Sequence, residues 1–273
     1  MNFTEKLAGA VQKNQSLLCV GLDPDPELMP DGVGVFEFNR AIIDATSDLV
    51  CAYKPNFAFY EALGAEGLDA LKRSIRHVPG DIPIIGDAKR GDIGSTAKAY
   101  ARAIFTNLNC DAATVSPYLG ADSIEPFLQY RDKGIFILCR TSNPGALDFQ
   151  SLRCQTQDGY RSLFELVALK ASQWNVYGNI GLVVGATYPE ELRLIRQSYP
   201  DMPLLIPGIG AQGGDLALTI RYGADAKGEK TIINSSRQII YASRGKDFAG
   251  AARGAALAMR EQINQCLANS SRT

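Results

Sequence analysis

The densest run of chemically capable side chains in the 273-residue sequence is Gly86-Asp87-Ala88-Lys89-Arg90-Gly91-Asp92-Ile93-Gly94-Ser95-Thr96. Asp87 and Lys89 are two apart, so on an extended strand both project to one side. Asp92 falls in the following loop or first helical turn. Carboxylates flanking an ammonium favour its charged form. Lys89 is then suited to donating a proton rather than to forming a Schiff base. A structural ion pair at a strand end satisfies the same pattern.

A second segment, Pro207-Gly208-Ile209-Gly210-Ala211-Gln212-Gly213-Gly214-Asp215, contains G-x-G-x-x-G at Gly208, Gly210 and Gly213. A dinucleotide loop would lie earlier in the chain and be followed by a strand-terminal acid. A phosphate-binding turn fits better, because glycines let backbone N–H groups approach an anion. Arg237 would supply the forked cation that a phosphate prefers. A plain glycine turn remains the alternative. A third segment, Thr141-Ser142-Asn143-Pro144-Gly145-Ala146, offers hydroxyl, amide and backbone groups to the edge of a polar heterocycle. Its default reading is a Pro-Gly turn. His77 is read as a helix cap or surface residue, and Phe57, Phe59 and Tyr60 as core.

The elements that must position these groups recur regularly. Short apolar runs occur at Leu17–Leu22, Leu49–Lys54, Ile82–Asp87, Ala112–Val115, Gly134–Cys139, Gly181–Val184, Leu204–Pro207 and Thr231–Asn234. They are apolar on successive residues, as parallel strands buried on both faces are. Helix-like stretches such as Gly67–His77, Ser95–Leu108 and Pro189–Ser198 lie between them. Eight alternations predict an α/β fold, a (β/α)8 TIM barrel forming a single domain over residues 1–273. A doubly wound open sheet is the rival. In a barrel, chemistry sits at the C-terminal strand ends. Here those ends carry Asp23, Lys54, Asp87 with Lys89, Arg140 to Asn143, the glycine-rich turn, and Asn234 to Arg237.

Lys plus Arg number 28 and Asp plus Glu 29, a net charge of −1, with 46% apolar and 21% charged residues. Those values exclude a disordered chain, a collagen and a small disulfide scaffold. They argue against a nucleic-acid partner. No apolar run is long enough for a membrane span, and the N-terminus lacks a signal-peptide core. The six cysteines are scattered without a C-x-x-C. No disulfide framework and no zinc site are expected, and the location expected is cytoplasmic.

Taken together the segments resemble a known family. Ile84 to Ala97 resembles the D-x-K-x-x-D-I-x-x-T signature of the orotidine 5'-phosphate decarboxylases. Pro207 to Asp215 resembles their phosphate loop and Thr141 to Ala146 their pyrimidine-contacting turn. The long stretches Leu147–Trp174 and Ala224–Lys230 resemble the longer, type 2 subclass.

The resemblance implies decarboxylation of orotidine 5'-phosphate to UMP, the last step of UMP synthesis, without cofactor or metal. It implies a catalytic network of Lys54, Asp87, Lys89 and Asp92. Asp23 and Lys54 would hold the ribose, and Ser142 the pyrimidine. Gln212, Arg237 and backbone near Ser236 would hold the phosphate, and Ile93 and Pro207 would complete the substrate contacts. It further implies a homodimer in which Asp92 and Thr96 reach the partner's site. Ser236 departs from the glycine often found before that arginine. Two other readings are a Mg²⁺-dependent sugar-phosphate decarboxylase or aldolase on the same barrel, and a non-catalytic phosphate-ligand sensor. A metal site would favour an acid where Lys54 stands. A sensor would not need a lysine ringed by acids.

Overall fold

All eight apolar runs are strands of one parallel sheet. The structure, a computed structural model, describes residues 1–157, 159–209 and 214–270. In chain order the strands are β1 (Leu18–Leu22), β2 (Ala52–Pro55), β3 (Ile85–Arg90), β4 (Ala112–Val115) and β5 (Gly134–Arg140). A hairpin of β6 (Arg153–Thr156) and β7 (Gly159–Ser162) interrupts the series. It is completed by β8 (Ile180–Val184), β9 (Leu204–Ile206) and β10 (Thr231–Ser235).

Neighbours around the sheet run β2-β1-β10-β9-β8-β5-β4-β3. Bridges Tyr53–Ile84 and Asn56–Asp87 join β2 to β3, and the Tyr53 N–H donates to the Pro83 carbonyl at 3.0 Å. The sheet therefore closes into a barrel, which rules out the open-sheet alternative. Every residue of β1, β2, β4, β8, β9 and β10 is buried. Side chains fill the barrel on one face and helices cover the other, hence the unbroken apolar runs.

The predicted helices are present as Gly64–His77, Gly94–Arg102 and Pro189–Ser198. The second continues as a π-turn over Ala103–Asn107. His77 closes its helix and pairs with Asp44 at 2.6 Å. Phe57 and Tyr60 are core residues, with Phe59 packed against them.

The N-terminal helix Phe3–Asn14 is fixed by a capping box between Asn2 and Glu5. Its Phe3 ring meets Phe136 edge-on at 5.6 Å. A Cβ at Gly134 would lie 2.6 Å from that ring, so glycine is required where the helix closes the N-terminal end of the barrel. All six cysteines are free thiols. Among the described residues no helix is long and apolar enough to cross a membrane.

Candidate active site

Asp87 sits buried near the C-terminal end of β3, between two ammonium groups. Its Oδ2 accepts from Lys54 Nζ at 2.6 Å and its Oδ1 from Lys89 Nζ at 2.7 Å. The Lys54 and Asp87 side chains are 6% and 7% exposed, whereas Lys89 is 49% exposed and reaches into the barrel mouth. Burial alone would raise the Asp87 pKa, but the charges and hydrogen bonds of Lys54 and Lys89 outweigh it and hold the carboxyl well below its ordinary range. Burial alone would lower the Lys54 pKa, but Asp87 and Asp23 reverse that and raise it. The result is a permanently ionised array at neutral pH on the buried side.

The backbone reaches this geometry differently from the simple strand expectation. Lys89 has φ +46°, in the left-handed region, and the β3–β4 register shifts between Gly86 and Arg90. A non-glycine residue held there costs roughly 1–2 kcal/mol. Thr114 on β4 compensates. Its hydroxyl accepts the Lys89 N–H at 2.9 Å and donates to Asp87 Oδ1 at 2.9 Å. The two side chains do converge, through a bulge pinned by a threonine rather than through regular alternation.

Beside this array lies a cavity of about 180 Å³ lined by Asp23, Lys54, Pro207 to Ile209 and Asn234 to Gln238. Larger hollows of about 660 and 820 Å³ have none of Lys54, Asp87 or Lys89 in their lining. The smaller one is the candidate site because the charged groups converge on it. Asp23 Oδ1, Asn234 Oδ1 and Ser235 Oγ are buried there with no hydrogen-bond partner among the described residues. Buried polar atoms left in that state mark a surface made for a polar ligand. Tyr241 donates to the Asp23 carbonyl at 2.7 Å and fixes its backbone. Gly21 makes room for Ser236, whose Oγ would lie 1.8 Å from a Cβ there. Gly208 has φ +100°, a conformation that favours glycine.

The comparisons with known proteins agree along the whole chain. Residues 16–252 match the sequence model of the orotidine 5'-phosphate decarboxylase / HUMPS family. The chain belongs to this family. It is 59% identical to an orotidine 5'-phosphate decarboxylase of Dehalococcoides mccartyi, over 97% of this chain and 98% of that protein. It is 54% identical to one of Cupriavidus necator, again over 97% and 98%. Among solved structures, a Leishmania donovani OMP decarboxylase superposes with TM-score 0.85 at 44% identity, covering 98% of this chain and 99% of the other. A putative decarboxylase from Toxoplasma gondii gives 0.90 at 38%, covering 99% and 98%.

For an orotidine 5'-phosphate decarboxylase family member, the single chain assembles part of the expected set. Asp23, Lys54, Asp87, Lys89, Pro207, Ser236 and Arg237 surround one mouth. Ser142 follows β5, and Thr187 Oγ1 donates to its carbonyl at 3.3 Å. Asp92 does not join the Lys54–Asp87–Lys89 array in this chain. It makes no ion pair among the described residues, and its Oδ1 accepts the Ile93 N–H at 2.8 Å. Ile93 is 52% exposed, and Thr96 is also exposed. Gln212, with Gly210, Ala211 and Gly213, lies outside the described residues.

Arg140 ends β5 as expected, and its side chain is fully buried. Conversely, Thr114 was not singled out, although a hydroxyl inside the run Ala-Ala-Thr-Val was a usable signal. The donor set does not suit a divalent cation. Both Asp87 oxygens are engaged by ammonium groups, and among the described residues no group of three or more His, Cys, Asp or Glu could hold a metal.

Proposed function

We infer that this chain catalyses the decarboxylation of orotidine 5'-phosphate to UMP and carbon dioxide, as its relatives' names describe. This carbon–carbon lyase step completes UMP synthesis. The observation that carries the reading is the Asp87 carboxylate clamped between Lys54 and Lys89, next to a cavity ending at Arg237.

Breaking the C6–carboxylate bond leaves an electron pair on C6 in the ring plane, where the π-system does not delocalise it. Charge must be stabilised where it appears. A preorganised group of that kind is worth roughly 3–4 kcal/mol in a water-poor site. Lys89, half-exposed at the mouth and held through Asp87, is the cation for that position. Its ammonium then gives a proton to C6, forming the C6–H bond of UMP, and regains one from solvent. Asp87 orients Lys89, and Lys54 keeps Asp87 ionised. Asp23 and Lys54 bind the ribose hydroxyls, and Ser142 the pyrimidine edge. Arg237, with Gln212 and the backbone beside Ser236, binds the phosphate, far from the reacting carbon, where binding energy is still usable in the transition state. Pro207 and Ile93 complete the contacts.

The working unit we infer is a homodimer. Asp92 and Thr96 then belong to the partner's mouth, which accounts for the exposure of Thr96 and for the lack of an ion pair at Asp92 among the described residues. A phosphorylated, water-soluble substrate fits a cytoplasmic enzyme. The test follows orotidine 5'-phosphate absorbance with the purified protein. Loss of substrate with stoichiometric UMP supports the reading; an unchanged spectrum would sink it.

A further inference from the structure

Arg140, at the end of β5, is the largest fully buried side chain among the described residues. Its Nε pairs with Glu191 in the first turn of the helix Pro189–Ser198. Its guanidinium carbon lies 3.6 Å from the Tyr188 ring centroid. Its Nη1 donates to Gln150 Oε1 at 3.3 Å. Burying a guanidinium costs several kcal/mol unless its partners are well placed, and the barrel itself does not require one: the residue paired with Arg140 on β8 is Val184.

The arrangement leads to the turn after β5. Gln150 Oε1 also accepts the Thr141 N–H at 2.8 Å, and Gln150 Nε2 donates to Thr141 Oγ1 at 2.8 Å. One amide therefore grips both the peptide and the hydroxyl of a single residue. Thr141 Oγ1 in turn donates a hydrogen bond to Asn143 Oδ1 at 2.7 Å. From the other side the turn rests on Gly185. A Cβ there would lie 2.8 Å from both the backbone nitrogen and the Cβ of Ser142. Residues 141–143 are thus held between a glycine floor and the Gln150 amide, which the buried Arg140 fixes in orientation.

We propose that Gln150, braced by Arg140, is a positioning residue that sets the 141–143 turn against the pyrimidine and so determines affinity for the base without touching it. The proposal rests on the assignment of Ser142 to the pyrimidine. It predicts a loss confined to ligands that carry a base. A residue serving only the fold would weaken every ligand alike.

The test measures binding of UMP and of ribose 5-phosphate, which shares the phosphate and sugar but lacks the base, by calorimetry. Gln150→Ala is expected to weaken UMP about tenfold, the effect of one lost hydrogen-bonded support, and ribose 5-phosphate by less than twofold. Gln150→Glu keeps the acceptor for Thr141 and Arg140 but loses the donor, and is expected to lie between wild type and Gln150→Ala for UMP. Equal weakening of both ligands, or of neither, overturns the proposal. If Gln150→Ala does not fold, the same split between the two ligands is read from Gln150→Glu. Wild-type protein that fails to bind UMP would overturn the parent assignment, and with it this one, before any variant is made.

Discussion

Replacing Asp87 by Asn removes the anion from the centre of the array while nearly preserving its shape. Lys54 is 6% exposed and 2.6 Å from Asp87, so it loses its nearest counter-charge without gaining water. Removing one member of a buried pair typically costs about 3–5 kcal/mol. At about 2–4 °C per kcal/mol for a chain of this size, the melting temperature should fall by roughly 6–20 °C.

The pH dependence gives a sharper criterion. In the wild type, Asp87 titrates below its unfolded value, so its stabilisation is present above about pH 4 and lost as pH falls towards the folded pKa. Lys54 titrates above its unfolded value, so its stabilisation is present below about pH 10 and lost only as pH rises past it. The pair therefore contributes a flat stabilisation across neutral pH. In Asp87→Asn, burial acts on Lys54 without its main opponent, and the folded pKa drops below the unfolded one. Stability of the variant then climbs with pH, by up to about 1.4 kcal/mol per unit. Urea denaturation from about pH 6 to pH 9 should show the gap between the two proteins narrowing. A gap under about 1 kcal/mol at pH 7, or one that widens with pH, would refute the electrostatic account. Turnover of the folded variant should fall at least about a hundredfold.

Lys89→Ala is expected to lose turnover in the absorbance assay, while UMP binding stays within about tenfold of wild type. Arg237→Ala should raise the KM for orotidine 5'-phosphate by about 10- to 100-fold, as removal of a charge-assisted phosphate contact does; an unchanged KM would move the phosphate elsewhere. Mixing Lys89→Ala with Asp92→Ala, each inactive alone, should restore part of the activity, because hybrid dimers rebuild one intact mouth. No recovery after subunit exchange would count against the shared site. Gly21→Ala places a carbon 1.8 Å from Ser236 Oγ. It should raise KM roughly tenfold through displacement of Ser236, with a smaller change in kcat.

The barrel was legible because most of its strands are buried on both faces along their whole length, which leaves a largely apolar run in the sequence. The hairpin β6–β7 was not legible. Its residues are all half-buried or exposed, and Arg153-Cys-Gln-Thr followed by Gly159-Tyr-Arg-Ser resembles a polar loop. Asp87 and Lys89 stood out by charge and spacing, but nothing in their types discloses the left-handed backbone at Lys89, which depends on a hydroxyl 25 residues further on. Arg140 shows the converse limit. An arginine at a strand end is ordinarily a solvated residue, and only the folded positions of Tyr188, Gln150 and Glu191 turn it inward.

The join between β2 and β3 rests on isolated bridges, whereas the other neighbouring strands pair through ladders of two or more residues. Lys54 stands on one side of this join and Asp87 on the other. The ion pair that crosses this join is therefore also the one that tunes the chemistry. A change at either residue therefore acts on the closure of the wall and on the charged array at once.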